Sequence, residues 1–270
     1  RARELTQQMG MPDWEFAQLG RIANTSLMLG DFSVAENAIK TMSLMEAQIA
    51  NREYYSLIRK LIQARMELFA GRHKDAMWGY ESLMEEIRNN LDGDFRADTL
   101  VTAAELFISQ RELDKAAALV EEIMQYLAQE PHSDMTQAAC LQAEIFIRRD
   151  ELPRARAELE KLAQNSAGIK RLSHHSRYRW AVAKLLAAEK RYDEALEVYK
   201  GLDQVMLNFG LNWMRARLMM DAGNVLLQRG QSGDLQAARN QLAESAIIFE
   251  RMGADGYVQQ VQDQLGLLGG

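Results

Sequence analysis

The stretch AKLLAAEKRYDEALEVYKGL, residues 183–202, decides how this chain is read. A small residue, Ala183, stands twelve places before a second alanine, Ala195. Between them a polar segment, Glu189, Lys190 and Arg191, ends on the ring of Tyr192. Four and seven places after Ala195 come Tyr199 and Leu202. On an α-helix those positions lie one and two turns along a single face. The stretch therefore predicts a helical hairpin. Its first helix carries a small residue so that the second can come close, and its second helix carries a buried stripe of large side chains.

Working outward, the same pattern appears in six copies. The turn and its alanine recur as Phe32-x-x-Ala35, His73-x-x-Ala76, Leu113-x-x-Ala116, Leu152-x-x-Ala155, Tyr192-x-x-Ala195 and Leu235-x-x-Ala238, spaced by 41, 40, 39, 40 and 43 residues. The last interval is long because Gln231, Ser232 and Gly233 extend that turn. The small residue of each first helix is Ala23, Ala64, Ala104, Ala143, Ala183 and, allowing for the long turn, Gly223. Four places after the turn alanine stand Ile39, Tyr80, Val120, Leu159, Tyr199 and Leu242. Seven after it stand Met42, Leu83, Ile123, Leu162 and Leu202, with Ser245 the exception. One hairpin cannot bury such a face alone, so neighbours must stack.

The expected architecture is all-α: a right-handed superhelix of about six hairpins in one domain. The hairpins run over roughly 13–50, 53–92, 94–130, 132–168, 173–209 and 211–252, with a capping helix over 255–268. Ser33, Asp114 and Asp193 are candidate N-caps of second helices, and Pro153 sits where a first turn tolerates proline. Residues 1–9 read as the end of an earlier helix. The stretch Met9-Gly10-Met11-Pro12-Asp13 is similar to Met252-Gly253-Ala254-Asp255 after the last hairpin, which predicts a further repeat upstream in a longer parent.

Bulk properties narrow the function classes. Hydrophobic residues make up 47% and charged ones 26%, an ordinary globular balance, with only three prolines to interrupt helices. The net charge is −6 and no basic tract exists to neutralise a row of phosphates, which argues against direct nucleic-acid binding. The single cysteine, Cys140, leaves no intrachain disulfide, and with fifteen methionines it fits a reducing, cytoplasmic compartment. No apolar run approaches the roughly 20 residues that span a bilayer, so no membrane partner is expected.

The small–small–large arrangement over residues 13–252 resembles the tetratricopeptide repeat. Ala23, Ala35, Ile39 and Met42, like Ala183, Ala195, Tyr199 and Leu202, match that motif's small and large pairs. Two features depart from it: the period is near 40 rather than 34, and the proline that closes each repeat is absent. Longer repeats of this style resemble the sensor regions of large LuxR-type, maltose-activator-like bacterial transcription activators. The stretch Ala246–Ala254 looks like the closing helix of such arrays. That resemblance implies a regulatory or sensor segment of a bacterial signalling protein. HEAT repeats share the period but would show a different turn.

In such a superhelix the first helices line the concave face. One residue after each small position stands a polar row: Asn24, Arg65, Glu105, Glu144, Lys184 and Asn224. A neighbouring row holds Leu61, Val101, Cys140, Trp180 and Met220, and Arg148, Arg177 and Trp180 add a basic, aromatic patch. Apolar pockets beside fixed polar groups suit an extended peptide or a helix. The same row also reads as a solvated face with ion pairs between adjacent repeats, and both readings stand at this point. Gly20 occupies the place of a lysine in the carboxylate clamps of some tetratricopeptide arrays, so no such clamp is predicted.

No catalytic, metal or cofactor site is expected. His174 and His175 point about 100° apart on a helix, so they are not expected to share one metal ion. His73 fills a turn slot occupied elsewhere by Phe, Leu or Tyr, so it is expected to pack, and His132 lies in a proline-containing loop. Cys140 has no base beside it in the pattern. Phosphate-binding and nucleophile-elbow motifs are missing from the sequence. The expected function is a non-catalytic protein–protein interaction scaffold that binds a protein or peptide, or other domains of its parent chain, on the concave face. The competing expectations are a small-molecule effector sensor and a self-assembling scaffold.

Overall fold

A computed structural model of the chain describes residues 10–129, 135–164 and 172–268. Every regular element among them is helical. Helix α1 (Pro12–Leu29) pairs with α2 (Phe32–Met45), α3 (Arg52–Phe69) with α4 (His73–Asn90), and α5 (Gly93–Ser109) with α6 (Leu113–Gln129). Then α7 (Met135–Arg148) pairs with α8 (Leu152–Gln164), α9 (Leu172–Ala188) with α10 (Tyr192–Asn208), and α11 (Asn212–Arg229) with α12 (Asp234–Met252). Helix α13 (Asp255–Leu268) closes the chain against α12. Residues 1–9, the loops holding His132 and Asn165–Gly168, and the side chain of His174 lie outside the described residues.

The small and large positions pack as their spacing requires. Ala23, Ala104, Ala143 and Ala183 of the first helices are wholly inaccessible, as are all six turn alanines from Ala35 to Ala238. At Gly223 a Cβ atom would come within 3.2 Å of Leu242 Cγ, so only glycine lets α12 approach that closely without repacking. Ser245, the exception in the large row, is fully buried and donates its hydroxyl to the Leu242 carbonyl at 2.7 Å. That bond satisfies the polar group locally, so the small residue costs packing volume but leaves no orphan hydroxyl. Each buried Leu, Ile or Met of these rows contributes roughly 1.5–3 kcal/mol of burial.

Five turns share one backbone solution. Gly30, Gly71, Arg111, Asp150 and Lys190 all take positive φ at the helix C-terminus. Around Lys190 its own N–H donates to the Ala187 carbonyl at 3.0 Å and that of Arg191 to Leu186 at 2.9 Å, the paired bonds of a Schellman motif. Arg111, Asp150 and Lys190 are exposed, so their side chains avoid further clashes, at a backbone cost of about 1 kcal/mol each. The N-cap expectations need correction. Asp31, not Ser33, caps α2 through the Val34 N–H. Asp114 and Asp193 lie inside the first turns of α6 and α10. There they favour the positive helix end and pair with Arg149 and Arg229 of the next repeat.

The six first helices form an inner ring. Successive contacts run α1–α3–α5–α7–α9, and α11 returns to touch α1. The array thus closes on itself. At the seam the Trp213 ring stacks on Phe69 with centroids 4.3 Å apart and donates its N–H to the Phe69 carbonyl at 2.9 Å. Helix α13 is not a free cap: it docks on the turn between α3 and α4. The Gly256 N–H donates to the Ala70 carbonyl at 2.9 Å, and Arg72 pairs with Asp255 at 2.7 Å. A Cβ at Gly256 would lie 2.5 Å from the Gly71 carbonyl, so two glycines are needed for the backbones to touch.

Candidate functional site

The inner ring encloses a cavity of about 250 Å³ whose walls come from all six first helices. A second compartment of about 360 Å³ lies towards α13 and shares Ser109, Arg148 and Arg217 with the first. Eight of the nine residues expected on the concave face line the first compartment: Asn24, Arg65, Glu105, Glu144, Arg148, Arg177, Trp180 and Lys184. The ninth, Asn224, lines neither; α11 instead presents Trp213, Met214 and Arg217 to the first and Met220 and Asp221 to the second.

The correction at Asn224 has a geometric cause. The cavity meets α1 and α3 in their C-terminal halves, at Asn24, Met28, Arg65 and Phe69. It meets α9 from Arg177 to Lys184, about its middle, and α11 in its N-terminal half, at Trp213, Met214 and Arg217. Successive helices climb along the superhelix axis, so a fixed sequence register drifts off the cavity by the sixth repeat. Arg217 stands two helical turns before Asn224 and one repeat after Arg177. Carrying the Arg177 position forward by one period would have found it. Of the apolar row, Leu61 and Val101 are core residues, whereas Cys140, Trp180 and Met220 line the compartments, joined by Leu68, Phe69, Ile108 and Trp213.

Most polar groups of the wall pair with a neighbouring repeat. Arg65 donates to Asn24 Oδ1 at 3.2 Å and to Thr102 Oγ1 at 3.0 Å, and forms an ion pair with Asp98. Arg177 pairs with Glu105. Lys184 donates to Glu144 at 2.8 Å and lies over the Trp180 ring at 5.0 Å. The Trp180 N–H donates to Asp221 at 2.7 Å. Burial alone would raise the Glu144 carboxyl, but Lys184, Arg148 and Arg217 together hold it below its usual range. The row is therefore an ordered ladder of charge-assisted bonds, which holds its side chains in place.

Two cations stand outside this ladder. The nearest carboxylate to Arg148 is Glu144 at 3.6 Å, already engaged by Lys184. Among the described residues no carboxylate lies within ion-pair distance of Arg217. It donates instead to the Tyr257 hydroxyl at 2.6 Å and sits among the rings of Trp213, Tyr257 and Trp180, 5.3, 5.1 and 6.0 Å away. The Tyr257 hydroxyl also hydrogen-bonds His73 Nε2 at 3.2 Å, the imidazole tautomer setting which group donates. Burial, with the Arg217 charge second, lowers His73 to about 4, so it is neutral at pH 7. His73 thus packs at the seam, against Tyr257.

The other reactive side chains do not converge. His175 is exposed at the start of α9. Cys140 is buried in the cavity wall. Among the described residues no group of three His, Cys, Asp or Glu side chains is placed to hold a metal ion, and no helix is long and apolar enough to cross a membrane.

Against known proteins, no family model and no curated sequence matches this chain. Its architecture does match solved structures. A Rap protein complexed with Competence and Sporulation Factor superposes over 93% of this chain and 68% of its own, with a TM-score of 0.71 and 14% identity. A tetratricopeptide repeat protein from Parabacteroides merdae ATCC 43184 aligns over 94% of this chain and 99% of its own, at 18% identity and a TM-score of 0.47. The fold is that of a tetratricopeptide-like helical solenoid.

Proposed function

We propose that this chain is a non-catalytic recognition module that holds a short peptide, or one segment of a protein partner, inside its closed ring. The observation that carries the reading is the convergence of all six first helices on one interior lined by Trp180, Trp213, Phe69 and an ordered polar ladder. Peptide-holding surfaces combine apolar pockets with fixed polar groups, and this wall has both. The Rap protein of similar fold was solved in complex with a factor, which agrees with a binding role for this architecture. The resemblance of the long repeats, and of Ala246–Ala254, to LuxR-type activator arrays supports reading the module as part of a larger cytoplasmic bacterial signalling or transcription-regulating protein, where occupancy would be passed to other domains.

A second reading is favoured by one observation. Ring closure leaves compartments of about 250 and 360 Å³, the size range of small-molecule sites, so a metabolite effector is the alternative occupant. A thermal-shift screen of the intact chain against short peptides and metabolites separates the two, because a ligand of the folded state raises the unfolding midpoint with saturation. Peptide-specific shifts that disappear in Arg65→Gln/Lys184→Gln support the first reading. Shifts from metabolites alone move the function to the second, and peptide shifts unchanged in that variant move it outside the ring.

A further inference from the structure

We infer that Arg148 and Arg217 form an anion subsite that receives a carboxylate or phosphate group of the ligand at the junction of the two compartments. The inference rests on the interior being the binding face. Both compartments include both arginines in their walls, so the two guanidinium groups border one shared space. The charge pattern around that space is uneven. Arg65, Arg177 and Lys184 are matched by Asp98, Glu105 and Glu144. The remaining carboxylate, Asp221, is engaged by the Trp180 N–H. Arg148 only shares Glu144 with Lys184, at 3.6 Å, and Arg217 has no carboxylate within ion-pair distance among the described residues, in a chain whose net charge is −6.

Two like charges facing one partly desolvated space repel each other, and an anion between them turns that repulsion into charge-assisted bonds. The guanidinium group suits this task because its planar fork can meet two oxygens at once. Arg217 is already oriented for it. The rings of Trp180, Trp213 and Tyr257 surround it, and its bond to Tyr257 uses only one of its donor nitrogens. Beside the subsite Leu68, Phe69, Ile108 and Trp213 offer an apolar wall to the remainder of the ligand. The chemistry specified is a compact anionic group attached to an apolar body.

Tryptophan fluorescence reads the subsite directly, since Trp180 and Trp213 flank Arg217 while Trp14 and Trp78 are exposed on the outside. The intact chain is titrated with succinate and with inorganic phosphate, ionic strength being held constant with sodium chloride. A saturable change is expected with one or both, and the two arms tell carboxylate from phosphate. Arg148→Gln and Arg217→Gln should each weaken it by about tenfold or more, and Arg217→Lys by less. Arg148 is 43% exposed, so its replacement tests the subsite even where Arg217→Gln fails to fold. No saturable change with either anion, or an equal change in Arg148→Gln, overturns the inference. Labelled pentapeptides separate it from the peptide reading. If they bind wild type and Arg148→Gln alike, with no preference for acidic members, the subsite falls and the peptide reading stands. If none binds while an anion still gives the change, the subsite stands and the peptide reading falls.

Discussion

The stacked array and the seam that closes it are built from different materials. Within the array the helix packing joins elements one or two apart in the chain, with Arg177 to Glu105 reaching further across the interior, and the same small and large residues recur in each copy. Adjacent repeats are also tied on the outside by pairs such as Lys115–Glu81, Arg88–Glu122 and Arg149–Asp114, 34 or 35 positions apart. The seam joins residues far apart in the chain, such as Trp213 to Phe69, 144 positions, and Tyr257 to His73, 184 positions. Nothing in it repeats. It uses one aromatic stack, one edge-to-face ring pair, a glycine-to-glycine backbone contact and one half-buried histidine. An array gains stability repeat by repeat, so local losses stay local. A seam is a single contact between two ends, so its loss changes the shape of the whole molecule and opens the interior.

That contrast can be broken from either side. The largest effect is expected from Trp213→Ala, which removes the stack on Phe69 and its hydrogen bond, a loss of about 3–5 kcal/mol from the seam. Helical circular dichroism should be retained while the radius of gyration from solution scattering rises; an unchanged radius would show that the ring does not depend on this contact. In the array, Ile123→Ala should cost about 2–4 kcal/mol through a cavity in a fully buried row. It should lower the urea midpoint and leave the radius of the native state alone, and an opened native state would contradict the division drawn here.

A third, smaller effect is acid sensitivity. Burial lowers the folded pKa of His73 to about 4 from 6.5. The stability that neutral His73 contributes is therefore complete above pH 6.5 and is lost as pH falls from 6.5 towards 4, where the folded state too takes up the proton. The groups facing it are Tyr257 and Arg217, with Arg72 and Asp255 on the same seam. His73→Phe, the residue that Phe32 supplies in the first copy, should flatten the denaturation midpoint across that window. A profile identical to wild type would remove His73 from the account. The smallest effect should be Arg88→Ala, which deletes an exposed pair with Glu122 and should cost about 1 kcal/mol or less. A larger shift in urea unfolding would mean that the outer ladder carries more of the array than exposed ion pairs ordinarily do.

Much of the candidate site was legible because the wall belongs to the repeat. Asn24, Arg65, Glu105, Glu144 and Lys184 share one register, and Arg148, Arg177 and Trp180 lie within two turns of it. Asn224 shows where that logic fails: register follows the helix, whereas the cavity follows the superhelix axis, and the offset accumulates copy by copy. Ser33 fails as a cap for a simpler reason. Asp31 lies two residues earlier and its carboxylate reaches the Val34 N–H that the cap must satisfy.

Periodicity and residue size were enough to determine the helices, their pairing and the buried rows, because those depend on neighbours within about 40 residues of one another and are stated in every repeat. The closure of the ring, the docking of α13 on the Ala70–Gly71 turn and the placing of Arg148 and Arg217 in the walls of both compartments were decided only in three dimensions. They depend on the summed rise and rotation of six hairpins. A small change of packing angle at each step, invisible in any single repeat, sets whether the last helix meets the first.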